Sequence, residues 1–439
     1  MTETIKQQIE REIREREEAE YQEWKKQFEL THFKVIHPTC AYGKVYDGKV
    51  ELTTEKDLFD SYKHKWKTFL KRWVEDSEMR CYDSVVFAPP PLKVENPNVY
   101  NLWQGFPWDS YIPQTAKEDG DKAIDLFNDL VKVVVNNSNR GEYFKKLIAH
   151  MVQYPGKKTG ICFVLTGEQG TGKGTTATIV KRIVGLRNTY KTASALTGVF
   201  TKFNFHLADK IFVEMNEADS ITQYKYKDLF KDMITDETGS FEAKFGKTLT
   251  LTSCLRFWIF TNNENPVNVE NSCRRFYVER TSNQRKRDYD FFEKLNNLSD
   301  DDIYWLYQYF KNYDIKGFNF EKELPETETK QSIRTHLIKT HESWLVEFLD
   351  KNLPLSEMTC THEELRADWK AYLESNMIRK AKNGNQLLVW LNKIKGVTSI
   401  KSGSRKKMLN VPIIIEWLKE NNIPNDLPTN MGEECLFAA

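Results

Sequence analysis

An apolar run that breaks into a glycine-rich loop and continues as a helix is the feature that most constrains this chain. Residues 161–166 read ICFVLT, residues 167–175 read GEQGTGKGT, and residues 177–184 space their apolar side chains as a helix does. Glycines let backbone N–H groups converge on a phosphate, the helix N-terminus adds its positive end, and Lys173 can reach the terminal phosphates. The stretch therefore predicts nucleotide binding.

The residues that we expect to hold the nucleotide all lie in this loop. They are Gly167, Gln169, Gly170, Thr171, Gly172, Lys173, Gly174 and Thr175. The loop departs from the pattern G-x-x-x-x-G-K-[ST] at Gly174, where a hydroxyl normally binds Mg²⁺. Thr175 stands one place late and is a candidate metal ligand. The alternative is a glycine-rich turn between strand and helix that binds no ligand.

Composition bounds the class of protein without indicating a partner. The chain has 439 residues, enough for two or three domains, and its net charge of +1 does not by itself indicate nucleic acid. Its seven cysteines form no C-x-x-C pair, which argues against zinc and against a disulfide framework. No apolar run approaches the roughly 20 residues of a membrane span, and the first residues are charged where a signal peptide would be apolar. We expect a soluble intracellular protein with no membrane partner.

The pattern of apolar residues divides the chain into successive regions. We expect an N-terminal region of unclear fold over residues 1–115, a helical collar over 116–157, a nucleotide-binding core over 158–325 and a further domain over 335–425. Residues 44–50 predict a β-hairpin in the first region, where no catalytic pattern is visible.

A second apolar strand, over residues 210–215, ends in acidic and amide side chains. In nucleotide triphosphatases, such a strand delivers one carboxylate to the metal and another to the attacking water. Glu217 is the candidate base, and Asn216 and Glu217 are candidate metal ligands. Asn216 stands where an aspartate would be expected, so Glu214 is a possible compensating acid. The alternative is a buried strand capped by a surface acid.

A third strand and a fourth complete the pattern. Residues 255–260 are followed by Asn262, whose amide can sense a γ-phosphate, because ligands sit outside the carboxyl ends of parallel strands. Arg274 and Arg275 precede the last strand. An arginine that reaches the nucleotide of a neighbouring subunit stabilises charge developed in phosphoryl transfer. Either arginine could equally be a structural ion-pair partner.

The glycine-rich loop, the second strand with its acids, the third strand with Asn262 and the two arginines follow one another in this order, with only 102 positions from Lys173 to Arg275. This arrangement resembles the core of superfamily 3 helicases, a branch of the AAA+ ATPases. The resemblance is strongest to the helicase part of phage and viral primase-helicases. It includes residues 147–155, LIAHMVQYP, and the Gly-Lys-Gly-Thr variant of the loop, which recurs in that subfamily. It covers roughly residues 120–350.

The resemblance implies an α/β fold in which an AAA+ P-loop core is built on a parallel sheet. It further implies a ring, usually a hexamer, with ATP and Mg²⁺ at the subunit interfaces and single-stranded DNA in the central channel. The location would be the host cell cytoplasm if the chain is phage-encoded. Residues 1–120 lack a convincing paired-carboxylate motif. We therefore expect a primase-polymerase half to be fused upstream or encoded separately.

The family also carries a DNA-gripping hairpin before the third strand. Residues 241–249, FEAKFGKTL, match it, with Lys244, Phe245 and Lys247 as candidate DNA contacts. Lysines beside an aromatic residue and a glycine suit a tip that meets phosphate and stacks on bases. Lysines at a hairpin tip are also commonly just solvated.

Beyond residue 335, helical patterns followed by a hairpin predict a winged-helix-like domain. Residues 378–407 contain nine lysines and arginines and no acid, which predicts contact with the phosphates of duplex or forked DNA. The candidate contacts in the hairpin are Lys401, Arg405, Lys406 and Lys407. Winged helices also serve as protein-interaction modules, so that alternative stays open.

The sequence as a whole favours an ATP-dependent DNA helicase that forms a ring and serves the replication of a phage, virus or mobile element. An alternative is an initiator or loader, a nucleotide-bound ring that marks an origin without unwinding it, which Gly174 and Asn216 would permit. A third interpretation is a motor that moves on RNA, because nothing in the lysine hairpin discriminates between ribose and deoxyribose.

We expect Lys244→Ala to abolish the stimulation of ATP hydrolysis by single-stranded DNA and to leave nucleotide affinity unchanged, because the substitution removes a phosphate contact far from the loop. Steady-state ATP turnover with and without DNA, together with a nucleotide titration, measures both effects. Stimulation that survives the substitution would show that the hairpin assignment is wrong.

Overall fold

The computed structural model describes most of the chain. The described residues are 5–37, 40–46, 49–216, 227–242, 248–263, 274–331, 340–353, 355–376, 383–401, 405–421, 423, 425 and 427. They divide into two compact units, the first ending at Lys330 and the second beginning at Gln331. Each unit has its own core.

Helices and strands alternate through both units. The helices are α1 (Ile5–Phe28), α2 (Glu55–Glu75), α3 (Lys117–Val134), α4 (Ser138–Gln153), α5 (Lys173–Val184), α6 (Ala195–Gly198), α7 (Lys227–Thr235), α8 (Tyr289–Asn296), α9 (Asp300–Lys311), α10 (Thr340–Lys351), α11 (His362–Ser375), α12 (Gly384–Leu391) and α13 (Val411–Glu420). The strands are β1 (His32–Val35), β2 (Ala41–Tyr46), β3 (Lys49–Thr53), β4 (Cys81–Tyr82), β5 (Ser84–Val86), β6 (Val99–Asn101), β7 (Cys162–Thr166), β8 (Thr189–Thr192), β9 (Phe212–Asn216), β10 (Thr238–Glu242), β11 (Thr248–Thr252), β12 (Arg256–Thr261), β13 (Phe276–Arg280), β14 (Glu357–Thr361), β15 (Val397–Lys401) and β16 (Arg405–Asn410).

A parallel sheet forms the centre of the first unit. Its strands lie side by side in the order β13, β7, β12, β9, β8, and every neighbouring pair is parallel. All residues of β7 and β12 are buried. Parallel strands covered on both faces consist of nearly continuous apolar residues, and this explains the apolar runs in the sequence. The expected mixed α/β fold with a parallel sheet is confirmed.

Helices before and after the sheet strands in the chain form a layer beside this sheet. Helix α5 packs against β9 and β12, and the Phe144 ring of α4 lies 5.0 Å from that of Phe163 in β7. Helix α9 packs against α3, α4 and α5. It approaches α3 so closely that a Cβ on Gly120 would lie 2.3 Å from Cγ of Trp305. The Gln153 side-chain amide at the end of α4 donates to the carbonyl oxygens of Phe310 and Tyr313, at 2.8 and 2.7 Å. Among the described helices, none is long and apolar enough to cross a membrane.

The N-terminal region, for which the sequence indicated no clear fold, is a sheet with two helices. Its strands lie in the order β3, β2, β1, β4, and β2 and β3 pair antiparallel as the hairpin expected over residues 44–50, of which 47–48 lie outside the described part. Aromatic rings join α1 to α2, with the Phe28 ring 4.9 Å from that of Trp73 and stacked 3.8 Å from His32. Burial lowers the pKa of His32 to about 4, so this residue is a neutral core histidine at pH 7.

The second unit combines helices with an antiparallel sheet. The strands lie in the order β14, β16, β15. Trp344, Trp369, Leu387 and Leu409 are almost fully buried in its core. The sequence predicted three helices and a two-stranded hairpin, whereas the structure also has β14 between the first two helices and α13 after the hairpin. Short β14 carries few apolar residues, so its pattern alone did not indicate a strand.

One buried arginine joins the central sheet to the turn that precedes β7. The Arg256 side chain is 4% exposed, and its guanidinium donates to the carbonyl oxygens of Tyr154 at 2.8 Å, Pro155 at 3.1 Å, Cys254 at 3.0 Å and also Lys157. Burial lowers its pKa to about 10, which leaves it charged at neutral pH. The guanidinium satisfies carbonyl groups that would otherwise be buried without a donor.

We expect Arg256→Met to lower the free energy of unfolding by about 3 kcal/mol, because buried carbonyl oxygens lose charged donors. The midpoint of urea unfolding, followed by tryptophan fluorescence, measures the change. Lys122→Met is the matched control, since Lys122 is 81% exposed in an ion pair with Asp119 and should change the midpoint little. Equal midpoints for the two variants would contradict the anchoring role of Arg256.

Candidate functional site

The carboxyl ends of the parallel strands meet at one edge of the central sheet. In the register of the sheet, Thr166 at the end of β7 lies opposite Thr261 of β12 and Arg280 of β13. Asn216 at the end of β9 lies opposite Phe260 of β12. The loops that follow these strands therefore emerge side by side, which is where ligands bind in open parallel sheets.

The loop between β7 and α5 needs glycine because of its backbone angles and its close contacts. Gly167, Gly170 and Gly172 have φ of +149°, +79° and +94°, values that residues with a Cβ rarely adopt. A Cβ on Gly167 would lie 2.0 Å from Oγ1 of Thr281, and one on Gly172 would lie 2.9 Å from Cε1 of Phe292. Substitution would therefore distort the loop.

Lys173 begins α5 and folds back onto the loop. Its Nζ donates to the carbonyl oxygens of Gly167 and Glu168, at 2.7 and 2.6 Å. Partial burial lowers the pKa of Lys173, and the charge of Glu168 opposes that effect. A phosphate group that entered the loop would offer this ammonium a stronger acceptor than the two carbonyls.

The segment after β13 is tied to the loop by side-chain contacts. The Glu168 carboxylate pairs with Lys286 and accepts a 2.8 Å hydrogen bond from the amide of Asn283, and these contacts hold its pKa below the usual range. Oγ1 of Thr281 donates to Oγ1 of Thr171 at 2.7 Å, and Thr171 in turn donates to the Glu168 carbonyl oxygen at 2.8 Å. The Thr171 hydroxyl therefore supports the loop from within.

A cavity of about 700 Å³ opens over the loop, within the size range of small-molecule sites. Its lining residues are Gln169, Gly170, Gly172, Lys173, Gly174, Thr175, Asn262, Arg287, Tyr289 and Phe292. The structure thus brings the predicted loop and Asn262 together. Arg287, Tyr289 and Phe292 were not identified from the sequence. They follow the last strand of the sheet, and their position after a strand end is the signal that could have indicated them.

The described residues around the cavity offer few groups for a divalent cation. A Cβ on Gly174 would have no atom within 4 Å, so the missing hydroxyl leaves open space there. Thr175 lines the cavity, whereas Asn216 is not among its described lining residues. Glu217, the candidate base and metal ligand, lies outside the described residues. Nor does the described part of the chain hold a group of three or more histidine, cysteine or acidic side chains that could bind a metal.

Glu214, which the sequence suggested as a compensating acid for the metal, forms buried ion pairs with two lysines. Its side chain is 2% exposed, with carboxylate oxygens 2.6 Å from Nζ of Lys181 on α5 and 3.2 Å from Nζ of Lys191 on β8. Two lysines already balance its charge inside the unit, as a buried carboxylate requires. It is therefore a structural ion-pair partner.

Arg274 and Arg275 lie at the amino ends of the parallel strands, whereas the loop follows the carboxyl end of β7. They precede β13, about 20 Å along the strands from Gly167, and neither is among the described lining residues of the cavity. Nη1 of Arg274 is 2.5 Å from a carboxylate oxygen of Glu321. Nε of Arg275 is buried and has no hydrogen-bond partner in the described part of the chain.

The residues expected to contact single-stranded DNA fall between two strands of the first unit. Lys244, Phe245 and Lys247 lie outside the described residues, between β10 and β11, which pair antiparallel up to Glu242 and Thr248.

The basic residues of the C-terminal hairpin differ from one another. Arg405 is exposed, Lys406 is partly exposed, and Lys401 ends β15, its side chain being outside the described part. Lys407 is 1% exposed and donates to Oδ1 of Asn392 and, at 3.2 Å, to Oγ of Ser399. The expectation that Lys407 contacts phosphate is corrected, because alternation along β16 turns this side chain inward.

Fold and cavity together define an α/β protein with a glycine-rich loop and a cavity at the carboxyl ends of a parallel sheet. The model of a family of unknown function, DUF5906, matches residues 165–275, from the end of β7 to the arginines. A DNA primase-polymerase of Nitratiruptor phage NrS-1 is 28% identical over 195 residues, which is 40% of this chain and 27% of that protein.

Solved structures resemble the chain over most of its length. An apo structure of the NrS-1 C-terminal region has a TM-score of 0.61 at 18% identity and covers 86% of this chain and 95% of that one. A second apo structure of the region, in its A form, has a TM-score of 0.60 at 17% identity and covers 86% and 96%. These comparisons show a shared fold.

We expect Gly172→Ala to lower the free energy of unfolding by about 1–3 kcal/mol, because its φ of +94° is unfavourable for alanine and the new Cβ would press on Phe292. Gly174→Ala is the matched control two positions away, since nothing lies within 4 Å of its Cβ. Thermal unfolding of both variants without nucleotide compares them. If Gly174→Ala destabilised the protein as much, the described loop geometry would be wrong.

Proposed function

We propose that this chain is an ATP-dependent DNA helicase that forms a ring and moves along single-stranded DNA. The observation that carries the proposal is the cavity in which the glycine-rich loop and Lys173 meet Asn262. The strand order of the parallel sheet suits the AAA+ core that the sequence resembles. The relative named a phage DNA primase-polymerase supports a role in the DNA replication of a phage, virus or mobile element.

The cavity residues would divide the work of binding and hydrolysing ATP. Loop N–H groups and Thr175 would hold the phosphates, and Lys173 would exchange the carbonyl oxygens of Gly167 and Glu168 for phosphate oxygens. Glu217 would take a proton from the attacking water, and Asn262 would contact the γ-phosphate. Thr175, Asn216 and Glu217 are the residues that would hold Mg²⁺, which would neutralise part of the phosphate charge when bound with ATP.

The positions of Arg274 and Arg275 support a site shared between subunits. Neither can serve the nucleotide of its own loop, because each lies at the amino end of β13 while the loop follows the carboxyl end of β7. In a ring, the amino end of β13 in one copy would face the cavity of the next copy. An arginine supplied in this way stabilises the transition state of phosphoryl transfer. The ring size, a hexamer, is implied by the resemblance to superfamily 3.

The proposed DNA contacts lie in both units. Lys244, Phe245 and Lys247, between β10 and β11, would grip single-stranded DNA and move with the ATP cycle. The second unit has the order helix, strand, helix, helix and hairpin, with a closing helix, and we propose that it is a winged-helix domain. Its accessible basic residues, Arg405 and Lys406, would meet phosphates of the forked duplex, together with Lys401.

The second candidate function is a nucleotide-bound initiator or loader ring that does not unwind processively. Gly174 favours it, because the structure leaves space where a Mg²⁺-binding hydroxyl would stand. Asn216 favours it as well, since an amide carries no charge toward the metal. A primase-polymerase partner belongs to either proposal, because the matched segment spans only 27% of the relative that carries that name.

Complementation between two inactive variants tests the shared site. We expect Lys173→Ala to reduce ATP turnover by about 10³-fold or more, since it removes charge stabilisation in phosphoryl transfer. We expect the same loss from one of the two arginine variants, Arg274→Ala or Arg275→Ala, whichever removes the acting arginine. Mixed with Lys173→Ala, the variant of the acting arginine should regain part of the activity, because an intact loop can then face an intact arginine. Steady-state phosphate release with single-stranded DNA measures this recovery.

The mixing experiment also separates the alternatives. The other arginine variant is the matched control and should keep nearly full activity alone, as a structural ion pair would allow. No recovery in either mixture would contradict an arginine acting between subunits. Wild-type protein that binds ATP but shows no turnover with DNA would favour the initiator or loader.

A further inference from the structure

We infer that the cavity has a second half, formed by Tyr289 and Phe292, that takes the purine base of the nucleotide. This inference rests on the proposed ATP binding and names the residues that would recognise the base. The sequence motifs indicated only candidate phosphate-binding residues here. The structure adds an aromatic wall to the same cavity.

The two aromatic residues share one face of the first turn of α8. Tyr289 begins the helix and Phe292 follows three positions later, so their side chains project to the same side. The Asp288 carboxylate caps the helix by accepting from the Phe291 N–H at 3.2 Å. The cap fixes the direction in which α8 starts, and both rings line the cavity opened by the loop.

Phe292 and Tyr289 differ in their packing. Phe292 packs against the loop, since a Cβ on Gly172 would lie 2.9 Å from its ring. Tyr289 is 75% exposed, although it lines the cavity. A tyrosine ring left in solvent beside a ligand cavity is available for stacking, and its flat face suits a planar base.

Contacts with the loop fix the distance between the two halves of the cavity. The N–H of Arg287 donates to the Gly170 carbonyl oxygen at 3.3 Å, and Arg287 holds a φ of +65°, which is unfavourable for a residue with a side chain. The contacts of Glu168 with Asn283 and Lys286 add to this attachment. A triphosphate in the loop would therefore present its base to a wall whose position is set in advance.

The chemistry favours purines as a class. Stacking on an aromatic side chain grows with the area of the base, so adenine and guanine gain more than cytosine and uracil. Loss of one aromatic platform commonly weakens binding by roughly 10- to 100-fold. The phosphate contacts of the loop are independent of this term, because Tyr289 lies outside the segment from Gly167 to Thr175.

Calorimetric titration of the full chain with ATP and with inorganic tripolyphosphate, both in Mg²⁺, tests the inference. We expect Tyr289→Ala to weaken ATP binding by roughly 10- to 100-fold and to leave tripolyphosphate binding unchanged. Tyr289→Phe should keep both affinities, because the ring is retained. Tyr46→Ala is the matched control, since Tyr46 is 68% exposed in the N-terminal region and far along the chain from the loop.

The outcomes separate this inference from the proposed function. Equal losses for ATP and tripolyphosphate, or no loss for either, would overturn the base site. Wild-type protein that binds tripolyphosphate as tightly as ATP would also overturn it, while leaving the phosphate cradle in place. Wild-type protein that binds neither would overturn the proposed function itself.

Discussion

The hydrogen bonding of β7 to strands on both sides is the constraint on which the rest of the first unit depends. β7 pairs with β12 on one side and with β13 on the other, and its residues are all buried. A buried strand must find partners for all its backbone groups, and the register pairs Thr166 with Thr261 and Arg280, so the three strands end together. Thr166 reinforces this edge by donating from Oγ1 to the Asn263 carbonyl oxygen at 2.7 Å. The glycine-rich loop therefore opens beside the ends of its neighbours.

The same parallel arrangement separates the proposed roles in space. Asn262 lies beside the loop because β12 runs in the same direction as β7, and Arg274 and Arg275 lie at the far edge because they precede β13. Buried charges stabilise the frame without taking part in chemistry. Arg256 satisfies backbone carbonyls, and Glu214 is balanced by lysines. A strongly charged buried residue is therefore a poor guide to function in this protein.

Much of the lining of the cavity could be predicted from the sequence, and the residues that escaped prediction share a physical reason. Gly172 and Lys173 are encoded by a local pattern of strand, loop and helix, and Asn262 by its place after an apolar strand. Tyr289 and Phe292 lie several residues beyond the end of β13, so the strand end indicates them only weakly, and packing of α8 against the loop brings them to the cavity. Lys407 was mistaken for a surface residue because composition records charge and not the side of a strand.

Local sequence determined which segments become strands and where the backbone must be glycine, because these properties depend on neighbouring residues and on periodicity. The resemblance to a known family implied the parallel sheet. Tertiary structure alone decided which strand ends share an edge, which aromatic ring remains in solvent and which charges are buried. Those outcomes depend on contacts between residues far apart in the chain, such as Glu168 with Lys286, and no local pattern specifies them.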